Sequence, residues 1–353
     1  MLDAKKIQFS GLGGPVFCII NPMLKRTLIF LFLALATSCS VPMPEKPPVI
    51  FWPAPPGKPR IKFIKTISGS NDVKGGPEGV AGYLFGDDIG VGFIKPVFAA
   101  AKNDVLYVTD LLTLHIYDFK NKKYTEVNGQ LRTPSGVAAG PDGTVFVGDS
   151  TRKTIFKFDS SGRQLGTFGF INSPGGFAVD DARRRLVAVD AATDEVYVYS
   201  LSGGLEFKFG GKGAGPGQFN IPYGVAVDHK GNIIVVDSGN FRVQVFDKDG
   251  KFIRAFGHAG TRPGDFMRPK GIAIDSQGHL YVVDAAFGNF QIFDEKGNLY
   301  LFVGTNGAAP GQFQLPFGIA IDSSDDRIYV VDQINRRIQV FQYLKNGAAP
   351  APR

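Results

Sequence analysis

Histidine and carboxylate side chains are the first residues in this sequence that could perform chemistry. Three such side chains converging on one point would bind zinc, but the chain has only four histidines, His115, His229, His258 and His279, widely spaced in sequence. The acidic run at 322–326 could bind calcium, although aspartate is also common in turns for backbone reasons. No metalloprotease histidine pair, Gly-x-Ser-x-Gly elbow or Cys-x-x-Cys-His site is present. The residue types therefore predict no catalytic residue, no metal site and no cofactor.

A glycine-rich run at residues 210–217 resembles a phosphate-binding loop. It lacks the Gly-Lys-Ser/Thr ending of a P-loop, and no helical pattern follows it. Similar runs occur at 260–264 and 307–311. We therefore interpret all three as one loop of a repeating fold.

The repeat that contains these loops is clearest in three segments, 219–228, 266–275 and 313–322. Their prolines, Pro222, Pro269 and Pro316, are 47 residues apart each time. Weaker copies begin at Pro134 and Pro174, and a degenerate copy begins at Pro96, where Phe98 replaces a glycine. Each copy continues with a second and a third short apolar run, and a fourth run often follows. The second run ends in an aspartate in all six copies: Asp110, Asp149, Asp190, Asp237, Asp284 and Asp332.

Four short runs per unit, separated by turn residues, predict a four-stranded antiparallel blade, and radial repetition of blades makes a propeller. The predicted fold is all-β: a six-bladed β-propeller over residues 60–344. The last repeat lacks its fourth run, and 60–67 alternates as a strand should. We expect this N-terminal strand to close the ring by pairing near 337–343. The repeated aspartates are expected to accept backbone hydrogen bonds where the second strands end.

The repeats resemble the NHL-repeat family. The match is carried by Pro222-Tyr-Gly-Val-Ala-Val-Asp228, then by the runs at 231–237 and 240–246, and it extends over residues 96–344. The resemblance implies a β-propeller that acts as a binding module. Some members of the family are metal-dependent lyases or lactone hydrolases with ligands around the central channel. A metal-assisted lyase or lactone hydrolase is therefore the alternative function.

The N-terminal residues carry the pattern of an export signal. Basic residues, an apolar run and small residues lead to Cys39, and residues 1–38 are predicted to be a leader with Met23 as the true start. The segment resembles a bacterial lipoprotein signal, which implies acylation at Cys39; ordinary secretion with cleavage nearby is the alternative. Since Ser40 follows the cysteine, we expect the outer membrane if the host is Gram-negative.

Two low-complexity segments flank the predicted propeller. Residues 39–59 are rich in proline and predict a semi-rigid spacer; Trp52 within it is expected to pack on the propeller edge, with contact to lipid as the alternative. Residues 345–353 are predicted to be a disordered tail.

A binding surface is predicted at the mouth of the central channel. The residue between proline and glycine varies from repeat to repeat while its neighbours are constant, and it is Tyr223, Lys270 or Phe317 in the last three repeats. Two aromatic residues and a cation could form a contact patch, or they could only plug the channel. The patch is expected to be extended by residues after the second strands: Arg152, Phe241, Phe287 and Arg336.

The net charge limits the kind of partner. The chain carries a formal charge of +7, and Lys5, Lys6, Lys25 and Arg26 against Asp3 place +3 of it in the leader, leaving +4 for 39–353. This small excess and the export signal predict no nucleic-acid partner. The predicted function is therefore that of a cell-envelope lipoprotein whose propeller binds a protein, peptide or carbohydrate.

Overall fold

The computed structural model describes residues 49–54, 56–73 and 90–345. The predicted leader 1–38, Cys39, the first part of the proline-rich segment and tail residues 346–353 lie outside the described residues. Within the described ranges, no helix is long and apolar enough to cross a membrane.

Six four-stranded antiparallel blades make up the fold, as the repeat predicts. Two strands precede the first blade: β1 (Phe51–Trp52) and β2 (Ile61–Ile67). The first three blades are β3 (Ala99–Lys102), β4 (Val105–Asp110), β5 (Thr113–Asp118) and β6 (Lys123–Val127); β7 (Pro134–Ala139), β8 (Val145–Asp149), β9 (Thr154–Phe158) and β10 (Gln164–Phe168); β11 (Pro174–Asp180), β12 (Arg185–Asp190), β13 (Glu195–Ser200) and β14 (Leu205–Gly210).

The next two blades are β15 (Pro222–Val227), β16 (Ile233–Asp237), β17 (Arg242–Phe246) and β18 (Phe252–Phe256); β19 (Pro269–Ile274), β20 (Leu280–Asp284), β21 (Asn289–Phe293) and β22 (Leu299–Val303). A short parallel pair follows, β23 (Thr305–Asn306) and β24 (Gln312–Phe313). The sixth blade combines β25 (Pro316–Asp322), β26 (Arg327–Asp332) and β27 (Arg337–Tyr343) with β2. Short 3-10 helices lie at Ser70–Val73 and Ser238–Asn240.

Burial follows the position of a strand within its blade. All five residues of β16 are buried, because neighbouring blades cover both faces of the sheet, whereas β18 at the outer edge alternates between half-buried and exposed residues. The core lies between blades: Val236 and Val243 of the fourth blade pack with Leu280 and Phe293 of the fifth. The first strands of neighbouring blades contact one another all round the ring and enclose the channel.

The N-terminal strand closes the ring. β2 pairs antiparallel with β27, from Ile61 opposite Tyr343 to Ile67 opposite Ile338. Ile61 and Ile67 are completely buried, so this strand is part of the core and also covers an edge that would otherwise be open. The predicted closure is confirmed.

The end of the proline-rich segment is part of the sheet, which corrects its description as a spacer. β1 adds a fifth strand beyond β2, with Trp52 opposite Ile61. The Trp52 ring meets Phe341 edge-on at 5.7 Å between centroids, and it packs so closely on Gly311 that a Cβ there would lie 2.5 Å from the indole. Trp52 therefore packs on the propeller edge, as expected. Just after β27, Lys345 forms an ion pair of 2.7 Å with Asp326.

Candidate functional site

The two faces of the propeller are set by the terminal aspartates. The Asp284 carboxylate accepts hydrogen bonds from the N–H of Met267, in the loop that joins two blades, and of Ala286, in the loop between second and third strands. Both kinds of loop are thereby held on one face, which we call the upper face. The carboxylates of Asp110, Asp149, Asp190, Asp237 and Asp332 also accept backbone N–H groups from these loops. The predicted structural role of the aspartates is confirmed.

The constant glycine of each Pro-x-Gly segment allows the first strands to converge. A Cβ on Gly271 would lie 2.7 Å from the carbonyl oxygen of Phe317, and one on Gly318 would lie 2.7 Å from that of Val97. These oxygens belong to the next blade, so a side chain at either glycine would collide with the neighbouring first strand. The variable residue of each segment is therefore held at the upper end of a narrow channel.

Tyr223, Lys270 and Phe317 meet inside that channel; we call these three residues the mouth cluster. The rings of Tyr223 and Phe317 are 5.2 Å apart, edge to face, although they belong to the fourth and sixth blades. The Lys270 ammonium nitrogen lies 3.8 Å from the centre of the Tyr223 ring and 5.4 Å from that of Phe317. All three side chains are half-buried. The cluster thus partly fills the channel and keeps part of its surface open.

The other blades contribute differently to the channel mouth. Phe98, which replaces the glycine in the first blade, is buried and meets the Phe317 ring edge-on at 5.5 Å. Val97, Ser135 and Gly175 occupy the variable position in the first three blades, so that side of the mouth has small or aliphatic side chains. The mouth is therefore asymmetric, with its aromatic rings and its amine on the side of the last three blades.

The amine of Lys270 is in an unfavourable place for a positive charge. Burial, and next the nearby Arg268 guanidinium, lower the pKa of Lys270 to about 8, and Asp284 opposes the shift weakly. Burial also raises the pKa of Tyr223 above its usual value. The carboxylate of Asp284 is already engaged by the backbone N–H groups of Met267, Arg268, Ala286 and Phe287. The Tyr223 and Phe317 rings add a cation–π contact that also favours the Lys270 charge.

The four residues expected to extend the patch lie outside the mouth cluster. Arg152 and Arg336 are exposed on the upper face, and the Arg152 guanidinium lies 5.7 Å from the Phe156 ring centre. Phe287 is half-buried in the equivalent loop of the fifth blade. Phe241 packs against the core between the fourth and fifth blades. The structure places all four on the upper face, and their role in binding stays a prediction.

Sequence reasoning missed the main apolar feature of the upper face. Eight of the 15 exposed large apolar residues lie in its loops: Val91, Ile94, Leu111, Leu112, Phe170, Ile221, Met267 and Ile334. Six of the other seven lie on the fourth strands of blades, and Val49 precedes β1; none of the 15 is in a turn of the opposite, lower face in the described ranges. Ile94 and Met267 share one position of the repeat, and Leu112 and Ile334 share another, whereas the other four residues lie at four different positions. The periodic signal that marks them is therefore weak.

Charge is also distributed unevenly between the faces. The exposed ionisable residues in the described upper loops are basic: Lys95, Arg132, Arg152, Lys153, Lys212, His258, Arg262, Arg268 and Arg336. On the lower face, cations and carboxylates alternate and form ion pairs between blades, as in Lys102–Asp181, Arg184–Asp142 and Lys230–Glu295. Among the described residues, the exposed side chains of the upper loops are thus apolar or basic, whereas those of the lower turns are polar and include both charges.

The histidines do not form a metal site within the described ranges. His115 is buried on the third strand of the first blade, where its Nδ1 lies 2.7 Å from the Tyr124 hydroxyl and its Nε2 lies 3.4 Å from Asp110. His258 lies on the upper face beside Asp265, whereas His229 and His279 lie on the lower face. No three histidine, cysteine or carboxylate side chains among the described residues gather to hold a metal. The alternative function as a metal-assisted lyase or hydrolase therefore has no donor set there.

Known proteins share the fold of this chain. The model of the DUF5128 family, described as a 6-bladed beta-propeller, matches residues 221–288 and 276–345, which hold the three most regular blades. No curated protein has a significant sequence match to the chain.

Several solved structures are similar. A protein of unknown function from Bacteroides thetaiotaomicron is 18% identical, with a TM-score of 0.59 over 80% of this chain and 75% of that one. An auxiliary nutrient binding protein from the same organism is 13% identical, with a TM-score of 0.57 over 72% and 70%. A virginiamycin B lyase from Staphylococcus aureus is 14% identical, with a TM-score of 0.52 over 70% and 80%. At these identities the similarity concerns the fold, and the chain is a six-bladed β-propeller.

Proposed function

We propose that this chain is an exported, lipid-anchored binding protein of the cell envelope, and that its upper face recognises a protein or peptide partner. The observation that carries the proposal is the difference between the faces. Among the described residues, exposed apolar side chains lie beside exposed cations in the loops of the upper face and are missing from the turns of the lower face. Exposed apolar surface beside polar groups is typical of interaction sites.

The chemistry of the upper face favours a protein or peptide over a carbohydrate. Its exposed apolar residues are mainly aliphatic, such as Leu112, Met267 and Ile334, and Phe170 is the one ring among those eight. The cations around them favour a partner with an excess of carboxylates. A neighbour of the same fold carries the name of a nutrient binding protein, which shows that the fold is compatible with binding and says nothing about the ligand here.

Partner capture tests the proposed face. The full-length chain is crosslinked in its native membrane, and captured proteins are identified by mass spectrometry. Substitution of Tyr223, Lys270 and Phe317 together by alanine should abolish capture, while a matched substitution of exposed lower-face residues, Lys120, Asp249 and Lys296, should leave it unchanged. Circular dichroism must show that both variants are folded. Capture that survives in the folded upper-face variant, the triple alanine substitution, would contradict recognition through the upper face.

The proposed anchor is tested separately. Cys39 follows basic, apolar and small residues in the order of a lipoprotein signal. We expect mass spectrometry to show a lipid-modified Cys39 at the mature N-terminus, and Cys39→Ser to release the chain from the membrane fraction. An unmodified N-terminus, or unchanged membrane retention of the variant, would contradict acylation without affecting the assignment of the binding face.

A further inference from the structure

We propose that the channel mouth is a receptor for the C-terminal carboxylate of an apolar peptide chain, with Lys270 as its counter-ion and the rings of Tyr223 and Phe317 as its walls. This inference rests on the proposed function, because it names the part of the partner that the upper face would engage first. The inference rests on three observations about Lys270: its position in the channel, the groups around it, and the lack of an ion pair to its amine among the described residues.

The position of Lys270 limits what can reach it. The amine lies at the second residue of β19, inside a ring of six first strands that approach one another closely. Tyr223 and Phe317 touch across the channel on one side of it. The middle of a peptide cannot enter such an opening without sharp bending, whereas the end of a chain can enter along the axis. An end-on ligand therefore fits better than a surface that lies flat across the face.

The surroundings of Lys270 favour the binding of an anion. Among the described residues, no carboxylate forms an ion pair with its ammonium group, and Asp284 is occupied by backbone N–H groups. Arg268 adds a second positive charge nearby. A partly desolvated cation without a counter-ion gains more from a bound carboxylate than an exposed lysine does, since the effective dielectric constant is lower at the half-buried site.

The walls of the mouth determine the group beside the carboxylate. Tyr223 and Phe317 contact each other and Lys270, but both are only half-buried, so part of their ring surface stays exposed beside the amine. The last side chain of a peptide lies next to its terminal carboxylate, so an apolar or aromatic last residue would pack there. A charged or small last residue would leave this surface uncovered. The site would therefore recognise both the terminal carboxylate and the apolar side chain of the same last residue.

A pair of peptides that differ only at the terminus tests the site. N-acetyl-Leu-Phe with a free carboxylate is titrated calorimetrically into the detergent-solubilised full-length chain, in parallel with the same peptide as its C-terminal amide. The free acid should bind about tenfold more tightly, the effect of one partly desolvated ion pair. Equal affinity for the two peptides, or no binding of the acid, would overturn the proposal.

Two lysine variants separate the site from general charge attraction. Lys270→Met keeps the length and apolar stem of the side chain and should remove the preference for the acid. Lys212→Met removes an exposed lysine from another upper loop and should leave the preference intact. An equal loss in both variants, or a preference that persists in Lys270→Met, would contradict a specific role of Lys270.

The outcomes also separate this inference from the proposed function. If the peptides fail while the upper-face variant still loses partner capture, the face binds its partner by other contacts and only the carboxylate site is wrong. If partner capture is also unaffected in the folded upper-face variant, the proposed binding face fails with it.

Discussion

The Lys270 ammonium nitrogen lies 3.8 Å from the centre of the Tyr223 ring, although the two residues are 47 positions apart and belong to neighbouring blades. The contact exists because the two residues occupy the equivalent variable position in successive repeats, and this position lies at the upper end of adjacent first strands. A cation over an aromatic face is stabilised by the ring quadrupole. It still lacks the solvation of an exposed lysine, and this cost has consequences for stability.

Replacement of Lys270 should stabilise the fold in a pH-dependent way. The pKa of the amine is about 8 in the folded chain against 10.5 unfolded, so below pH 8 the folded state holds a charge that it disfavours. Lys270→Met should raise the melting temperature at pH 7, by about 2 °C per kcal/mol gained. The advantage should shrink between pH 8 and about 10.5, where the parent chain releases the proton on folding.

Groups that face the amine must be considered in this experiment. Arg268 and Asp284 act on the amine through their charges, and Tyr223 has a pKa above its usual value. The exposed Lys212→Met variant is the control and should show no such pH dependence. The prediction that the Lys270 charge destabilises the fold would be refuted if Lys270→Met lowered the melting temperature. It would also be refuted if the difference in melting temperature between variant and parent stayed constant from pH 7 to about 10.5.

Ring closure should depend on the buried face of β2. Ile67 is 0% exposed and packs with residues of the first and sixth blades, whereas Ile64 on the same strand is 40% exposed. Ile67→Ala should lower the free energy of unfolding by about 2–5 kcal/mol, and Ile64→Ala should change it by about 0.5 kcal/mol or less. Urea titrations of both variants measure the difference. Deletion of 60–67 should cause aggregation; a deletion variant as stable as the parent would rule out closure.

A histidine–aspartate pair on the lower face should make stability depend on pH. The hydrogen bond to Asp275, 2.8 Å from His279 Nδ1, raises the pKa of His279. Although burial favours the protonated acid, hydrogen bonds led by that of His279 keep the pKa of Asp275 below 3.8. The stabilisation should therefore be fully present between pH 4 and 6.5, and it should be lost as pH rises through the raised pKa of His279.

Comparison of variants isolates this pair. His279→Gln should lower the free energy of unfolding by about 1 kcal/mol at pH 5 and by less at pH 8. His229→Gln removes an exposed histidine from another lower turn and should have little effect at either pH. Urea titrations at both pH values measure this. An identical loss at pH 5 and pH 8 for His279→Gln would show that the imidazolium contributes nothing.

Most of the fold could be predicted from the sequence because each blade repeats the same pattern of short apolar runs and turn residues. The recurring aspartate marks the end of the second strand, and the missing run after Phe341 indicates that residues 60–67 complete the last blade. The meeting of Tyr223, Lys270 and Phe317 also follows from the repeat, since equivalent residues lie at equal depth along the channel. Periodicity thus carries information about contacts between residues far apart in sequence.

Features that do not repeat could not be predicted. Phe51 and Trp52 form a strand inside a proline-rich segment whose composition predicts a spacer. Phe241 and Phe287 lie in equivalent loops but at different distances in sequence from the terminal aspartate, and Phe241 packs against the core between the fourth and fifth blades. The exposed apolar residues of the upper face are spread over six positions of the repeat, and each such position carries an exposed apolar residue in two blades at most. In these places the direction of a side chain depends on tertiary packing, which no local pattern encodes.

Site-specific photo-crosslinking in the native membrane tests the binding face most directly. A benzophenone side chain is introduced at Ile334 on the upper face, 59% exposed, and separately at Asp249 on the lower face, whose side chain is 61% exposed. The two positions are equally accessible, so they differ only in the face that they report. We predict a discrete protein adduct from position 334 and none from position 249. An adduct from position 249 alone, or the same adduct from both, would contradict recognition through the upper face.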